Sequence, residues 1–469
     1  MARSVTEEEQ RQVQQLVFRA RVAMQALEGY DQAQIDRLCQ AVGWATANEK
    51  TFTRLANMSV DESHLGDRQG RPNKRFKIMG ILRDALRQKS MGVIEELPAL
   101  GIVKYAKPAG VIASLVPVTN AALTEAGNGI YALKCKDAII FSPHPASRKT
   151  TVETVRIMRA ALAKQGAPAD IFQSIEKPSI PLAQELMANC DLTIATGGPA
   201  MVKSAYSSGK PAYGVGAGNA TMVIDETADI DEAARYVRLS KTSDNGSGCS
   251  ADGNLVVEAT IYERFLDQLQ KEGGYLVTED EKQLLQNAMW DEERHRTSNT
   301  IARPAATIAE IAGFAIPDGK TFLIVKEERI GKEHLFSSEK LSPVLAIFRY
   351  CGFDNALSMV KQIYEVGGKG HSCGIYSFDD DHVHRLALTA PVSRMMVRQP
   401  QSKANAGAFN NGMPMTSSMG CGIWGGNITN ENIALKHYMN VTWVSRPIPE
   451  DRPSEADLFG EFNNSETFD

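Results

Sequence analysis

Between residues 111 and 206 short apolar runs alternate with longer stretches of helical character, and this rhythm restricts the possible folds more than any other feature of the chain. The runs Val111–Val116, 138–141 and 192–195 have strand length, and helices are expected from about Thr124, from about Thr150 and over 201–206. Strands separated by helices lie parallel, so the expected fold class is α/β, a parallel sheet with helices on both faces. A second set of strands is expected at 254–257, 321–325, 344–348 and 374–376, with the boundary between the two units near Ser240.

The flanks read differently. Val13, Leu16, Val17, Ala20, Met24 and Leu27 recur at helical spacing, and Ile35, Leu38, Val42 and Trp44 repeat the pattern, so two helices are expected over 7–48. Over 91–106 alternating apolar residues are interrupted by Pro98 and Gly101, the pattern of an exposed β-hairpin suited to contact another subunit. A strand at 438–444 could extend a neighbouring subunit's sheet, and the acidic tail from Pro447 could be disordered. The expected division is 1–239 for a nucleotide-binding unit carrying the hairpin, 240–425 for a catalytic unit, and 426–469 for a returning C-terminal segment with an oligomerisation strand.

Charge and cysteine usage remove several functions. The 51 basic and 56 acidic residues are interspersed and leave a net charge of −5, so no nucleic-acid partner is expected. No apolar run is long enough to span a bilayer, so no membrane partner is expected and a cytoplasmic location follows. The 7 cysteines include no Cys-x-x-Cys pair, which argues for reduced thiols and no structural metal. His382 and His384 lie in an Asp-rich turn with no third ligand nearby in sequence, and His371 reads as a hydrogen-bonded structural histidine.

Cys249 stands out among the thiols. Its surroundings, Asn245-Gly246-Ser247-Gly248-Cys249-Ser250, leave room for an electrophile and for backbone amides to face it, as a nucleophile needs; an inert packing cysteine is the competing reading. Thr196-Gly197-Gly198-Pro199 joins a strand to a helix and suits a nucleotide phosphate, or is a plain turn. Ser142-Pro143-His144-Pro145 ends another strand of the same sheet, which strengthens the case for a cofactor crevice. Gly420-Cys421-Gly422-Ile423-Trp424-Gly425 has the spacing of a dinucleotide motif but not its strand–helix context, and reads as a glycine loop lining a pocket.

Together the segments 110–112, 117–120, 139–145, 195–198, 205–219, 240–250, 339–343 and 419–432 resemble the aldehyde dehydrogenase superfamily, and within it the CoA-acylating branch, over nearly the full length. The resemblance implies an NAD(P)-binding domain, a catalytic cysteine domain and an oligomerisation hairpin. It implies Cys249 as nucleophile and Asn120 as an oxyanion donor. Pro117, Thr119, Ser142, Pro143, His144, Arg148, Gly197, Gly198, Val202, Gly216, Glu339 and Leu341 fall at its cofactor-binding positions, Glu339 gripping the nicotinamide ribose. Hydrolytic members carry a water-activating glutamate where this chain has Gly214-Val215-Gly216-Ala217-Gly218, and coenzyme A is therefore the expected acyl acceptor. Glu125 is the one carboxylate considered as a substitute for that base. Arg148 and Lys149 permit NADP, which is favoured over NAD.

Residues 331–345 and 445–454 look like acylating sulfoacetaldehyde dehydrogenases, and 393–411 is also similar to acylating succinate semialdehyde dehydrogenases. Both substrates are small anionic aldehydes, and Ser247, Ser250, Arg398, Lys403 and Asn405 are the candidates to hold the distal acid group. Acetaldehyde or propionaldehyde oxidation, acyl-phosphate reduction and a non-catalytic structural role are the alternatives. A homodimer or homotetramer is expected.

Overall fold

The computed structural model describes residues 3–464; the first two residues and the last five, the end of the expected tail, lie outside it. Helices α1 (Glu7–Ala26), α2 (Gln32–Ala47), α3 (Glu49–Ser63) and α4 (Arg75–Leu86) come first. The Thr6 hydroxyl accepts from the Glu9 amide while the Glu9 carboxylate accepts from the Thr6 amide, which starts α1 by satisfying donors that have no partner within the helix. Val13, Leu16, Ala20 and Ala23 on α1 are buried, the stripe its periodicity predicts. The separate helices α3 and α4 were not anticipated.

The hairpin is β1 (Gly92–Leu97) and β2 (Ile102–Pro108), antiparallel as expected. Then β3 (Val111–Val116), α5 (Leu123–Lys134), β4 (Ala138–Pro143), α6 (Arg148–Lys164), β5 (Phe172–Ser174), α7 (Ile180–Asn189), β6 (Leu192–Thr196), α8 (Pro199–Tyr206) and β7 (Ala212–Val215) follow in turn. Their strands form a parallel five-stranded sheet in the order β5-β4-β3-β6-β7. Every residue of β3 and β4 is buried, which is why both read as continuous apolar runs. Strand order runs outward one way from β3 through β5 and the other way through β6 and β7. The switch between β3 and β6 leaves a crevice at their carboxyl ends, where ligands of such sheets bind.

The chain then crosses to a second parallel sheet. Its strands are β8 (Thr221–Ile224), β9 (Asn254–Glu258), β10 (Gly274–Leu276), β11 (Phe322–Lys326), β12 (Val344–Tyr350), β13 (Cys373–Tyr376) and β14 (Met395–Val397), in the order β10-β11-β12-β9-β8-β13-β14. Because β8 and the following helix α9 (Ile230–Lys241) already belong to this unit, the change of sheet falls at 216–220, ahead of the boundary expected near Ser240. The last strand, β15 (Met439–Ser445), pairs antiparallel with β2 of its own chain. This corrects the expectation of a strand lent to a neighbour: the returning segment closes the hairpin into a three-stranded sheet. The tail carries a short helix, Glu455–Phe459, capped by Ser454. No helix among the described residues is long and apolar enough to cross a membrane.

Candidate active site

Helix α9 ends at Lys241, and a tight turn over Ser243–Gly246 brings the chain to Cys249. Asp244, Asn245 and Gly246 have φ of 51°, 53° and 67°, three successive left-handed residues. Asp and Asn tolerate this conformation, but Gly246 is required for space as well, since a Cβ there would lie 2.6 Å from the backbone of Ser342. The turn is held from the other unit. Arg71 donates to both oxygens of Asp244 at 3.0 and 2.9 Å, Lys74 Nζ donates to Asp244 Oδ2 at 2.7 Å, and Ser247 Oγ donates to the same oxygen at 2.7 Å. Burial opposes ionisation of Asp244, but Lys74 and Arg71 outweigh it and hold the carboxyl well below its ordinary range.

Lys74 also donates to Asn120 Oδ1 at 2.7 Å and to the Thr119 carbonyl at 3.1 Å. An ammonium only donates, so this contact fixes the Asn120 amide with its oxygen toward Lys74 and its NH2 directed elsewhere. One lysine thus joins Asn120 to the turn that carries the cysteine.

His371 Nε2 lies 3.0 Å from Cys249 Sγ, and His371 Nδ1 lies 2.8 Å from Ser372 Oγ. The reading of His371 as merely structural is therefore corrected: it is the side chain in contact with the thiol. Its surroundings in sequence, Gly370-His371-Ser372, show the same small residues that singled out Cys249, and that signal could have found it. Burial pushes the thiol up to about 12, with Glu339 adding to the shift and Arg394 opposing it. Burial, helped by the Arg394 charge, holds the imidazole down at about 3. At rest the pair is a neutral thiol beside a neutral base. Arg394, itself buried, donates to the carbonyls of His371 and Gly420 and fixes the loop behind the ring.

Glu339 and Leu341 share with Cys249 a cavity of only about 10 Å³. Glu339 Oε1 accepts from the Gly218 amide at 3.0 Å. Burial pushes its carboxyl up to about 7, against the Gly218 bond and the charges of Lys241, Lys340 and Arg296. A cleft of about 640 Å³ opens nearby, lined by Val202, Gly216, Cys421, Trp424 and Gly425 among others. The glycine loop at 420–425 does line a pocket, as its sequence suggested.

The remaining expected cofactor residues gather at the carboxyl ends of the first sheet. Pro117 and Thr119 follow β3, Ser142 and Pro143 end β4, and Gly197 and Gly198 join β6 to α8. His144 donates its backbone amide to the Val116 carbonyl at 3.2 Å, which draws the ends of β3 and β4 together. Arg148 opens α6 and is exposed, while Glu62 of α3 accepts from the amides of Lys149 and Thr150 in its first turn.

The candidates for the distal anion do not share one place. Arg398 is paired with Glu232 at 2.9 and 3.1 Å and lies over the Phe378 ring, so its charge is spent on a local pair; this removes it from the set. Asn405 is buried and bonded to Gln401, and Ser250 is buried. Ser247 is committed to Asp244. Lys403 Nζ reaches Ser243 Oγ, at 2.8 Å, and so does stand over the cysteine turn.

Two further expectations concern carboxylates and metals. Glu125 is fully buried in α5 facing Thr151 of α6, enclosed by protein where a water-activating base needs access to solvent. Its exposure of 0 % argues against a substitute for the missing glutamate. At Gly214 itself, a Cβ would lie 2.8 Å from both Tyr206 and Val202, and the Tyr206 hydroxyl bonds the Gly214 amide and carbonyl. Val215 is buried in the core. The sequence argument that His382 lacks partners is corrected: the fold brings Asp225 and Glu226 within 4.8 Å of it. Asp225 already accepts from Thr227, Ser377 and the His382 ring.

The model of the aldehyde dehydrogenase family matches residues 2–444. The chain is 43% identical to a sulfoacetaldehyde dehydrogenase of an Acholeplasma species, over 95% of this chain and 93% of the relative. It is 39% identical to a sulfoacetaldehyde dehydrogenase (acylating) of Bilophila wadsworthia, over 94% and 97%. Its fold is similar to that of an acetylating aldehyde dehydrogenase from Geobacillus thermoglucosidasius, with a TM-score of 0.91 and 32% identity over 95% of this chain and 99% of that one. A propionaldehyde dehydrogenase of Rhodopseudomonas palustris, solved with bound CoA and an acylated cysteine, superposes with a TM-score of 0.82 at 25% identity, over 92% and 97%.

Proposed function

The chain belongs to the aldehyde dehydrogenase family, and from that premise we propose that it oxidises a small anionic aldehyde, sulfoacetaldehyde first, to its acyl-CoA with NADP or NAD. The observation that carries the acylating half of this reading is Gly214: the place where a water-activating glutamate is expected is filled by Tyr206 and Val202. A thioester on Cys249 then waits for a thiol.

Cys249 Sγ attacks the aldehyde carbon and its proton passes to His371 Nε2, 3.0 Å away. Asn120, its amide oriented by Lys74, donates to the oxygen as negative charge grows there. Bound nicotinamide supplies the hydride acceptor. The donors around the crevice fit such a cofactor: Glu339 offers two acceptor oxygens to a ribose diol, and the Gly197–Gly198 turn opens α8 toward a diphosphate. Val202, Gly216 and Leu341 supply walls, and Pro117, Thr119, Ser142, Pro143, His144 and Arg148 continue the site along the strand ends. In the second half-reaction the CoA thiol gives its proton to neutral His371, its sulfur bonds the acyl carbon, and the bond to Cys249 breaks. Burial suits His371 to this role because it keeps the imidazole unprotonated at neutral pH. The sheet β1-β2-β15, with Val441 and Trp443 exposed, is the surface through which subunits of this chain pair.

The test is an assay of sulfoacetaldehyde and NADP with and without CoA, following reduced cofactor and sulfoacetyl-CoA together. Equal amounts of both, formed only with CoA and abolished by Cys249→Ala, is the expected result. Steady release of sulfoacetate without CoA contradicts it.

A further inference from the structure

Lys74 closes the segment that leads into α4, and Lys77 follows it by three residues, so both face one side of that element. Lys77 Nζ donates to the carbonyls of Ala406 and Gly407 and lies 3.8 Å from Met415 Sδ. Lys403, from the same returning segment, reaches Ser243 on the cysteine turn. The three ammonium groups act on one another: the charge of Lys403 opposes protonation of both Lys74 and Lys77. Burial is the larger cause, and it holds Lys77 down at about 8.

Compensation is incomplete. Asp244 is shared between Arg71 and Lys74, which leaves that trio with an excess positive charge. Among the described residues no carboxylate lies within 4 Å of Lys77 or Lys403; Asp84 and Asp67 act on them only through space, and Asp84 is itself paired with Arg83. Like charges held together in a partly buried place carry an energetic cost that a visiting anion relieves. Lys74 at the same time touches Asn120, the residue that faces the reacting oxygen in the proposed mechanism.

We propose that Lys74, Lys77 and Lys403 form the anion-selecting mouth of the aldehyde channel, favouring a sulfonate or carboxylate carried one or two carbons from the reacting carbonyl. This rests on the acylating dehydrogenase reading and adds what selects its substrate. Lys74 orients Asn120 and faces the acid group at short range. Lys77 and Lys403 supply the uncompensated field behind it, which raises the local concentration of anionic aldehydes.

The experiment compares kcat/KM for sulfoacetaldehyde and for acetaldehyde, at saturating CoA and NADP, in the wild type and in Lys77→Met, Lys403→Met and Lys403→Arg. The ratio of the two constants falls by about tenfold or more in the Met variants, the worth of one lost charge-assisted contact, mainly through KM, and is kept in Lys403→Arg. A ratio unchanged within about twofold in both Met variants overturns the site, as does a wild type that prefers acetaldehyde. In either case CoA-dependent acetaldehyde oxidation leaves the acylating reading standing, whereas loss of CoA dependence with every aldehyde refutes that reading instead.

Discussion

Cys249 and His371 sit 3.0 Å apart with the proton on the sulfur, because burial pushes the thiol up to about 12 and the imidazole down to about 3. A raised thiol value means that the thiolate fraction grows about tenfold with each pH unit below it. Alkylation of Cys249 by iodoacetamide in the free enzyme is therefore expected to rise about tenfold per unit from pH 7 to 9 with no plateau. A plateau near pH 8.5 contradicts a buried, protonated resting thiol. The nucleophile was legible in the sequence because small residues surround it, whereas its partner was not. His371 lies 122 positions away on the approach to β13, and only the packing of β13 beside β8 brings it to the cysteine turn.

The turn between α9 and Cys249 is the element on which the site depends. Its three left-handed residues stay in place because Asp244 is bonded at once by Arg71, Lys74 and Ser247. Removing the charge leaves two cations without their partner, so Asp244→Asn is expected to cost roughly 3–5 kcal/mol of stability and to lower the thermal unfolding midpoint. An unchanged midpoint rules out this ion cluster as the clamp on the turn. None of this was visible beforehand. Asp244 stands in the stretch that singled out Cys249, but its partners lie in α4 and the segment before it, a region with no strand–helix signature to mark it. The site residues that the sequence did yield are those whose role follows from chain neighbours, such as Gly197 and Gly198 between β6 and α8. Arg398 misled because a basic residue near a candidate pocket carries no sign of the Glu232 that neutralises it.

At the scale of the whole molecule, two parallel sheets present strand ends and loops to a common crevice. The alternation from β3 to α8 made the first sheet legible, since unbroken apolar runs are the mark of strands buried on both faces. The crossover at 216–220 was not, because β7 and β8 are four residues each and only pairing partners reveal that they belong to different sheets. That crossover places Gly214 on the first unit and Gly218 on the second. One closes the position of a hydrolytic base, and the other holds Glu339 beside Cys249. The central claim is that Cys249 carries an acyl group meant for a second thiol, and a single-turnover measurement with intact-mass analysis tests it. Enzyme mixed with NADP and sulfoacetaldehyde without CoA is predicted to give a burst of one reduced cofactor per active site and a sulfoacetyl adduct on Cys249, which added CoA discharges as sulfoacetyl-CoA. Continuous cofactor reduction without CoA, with no adduct on Cys249 and free sulfoacetate accumulating, would contradict the account.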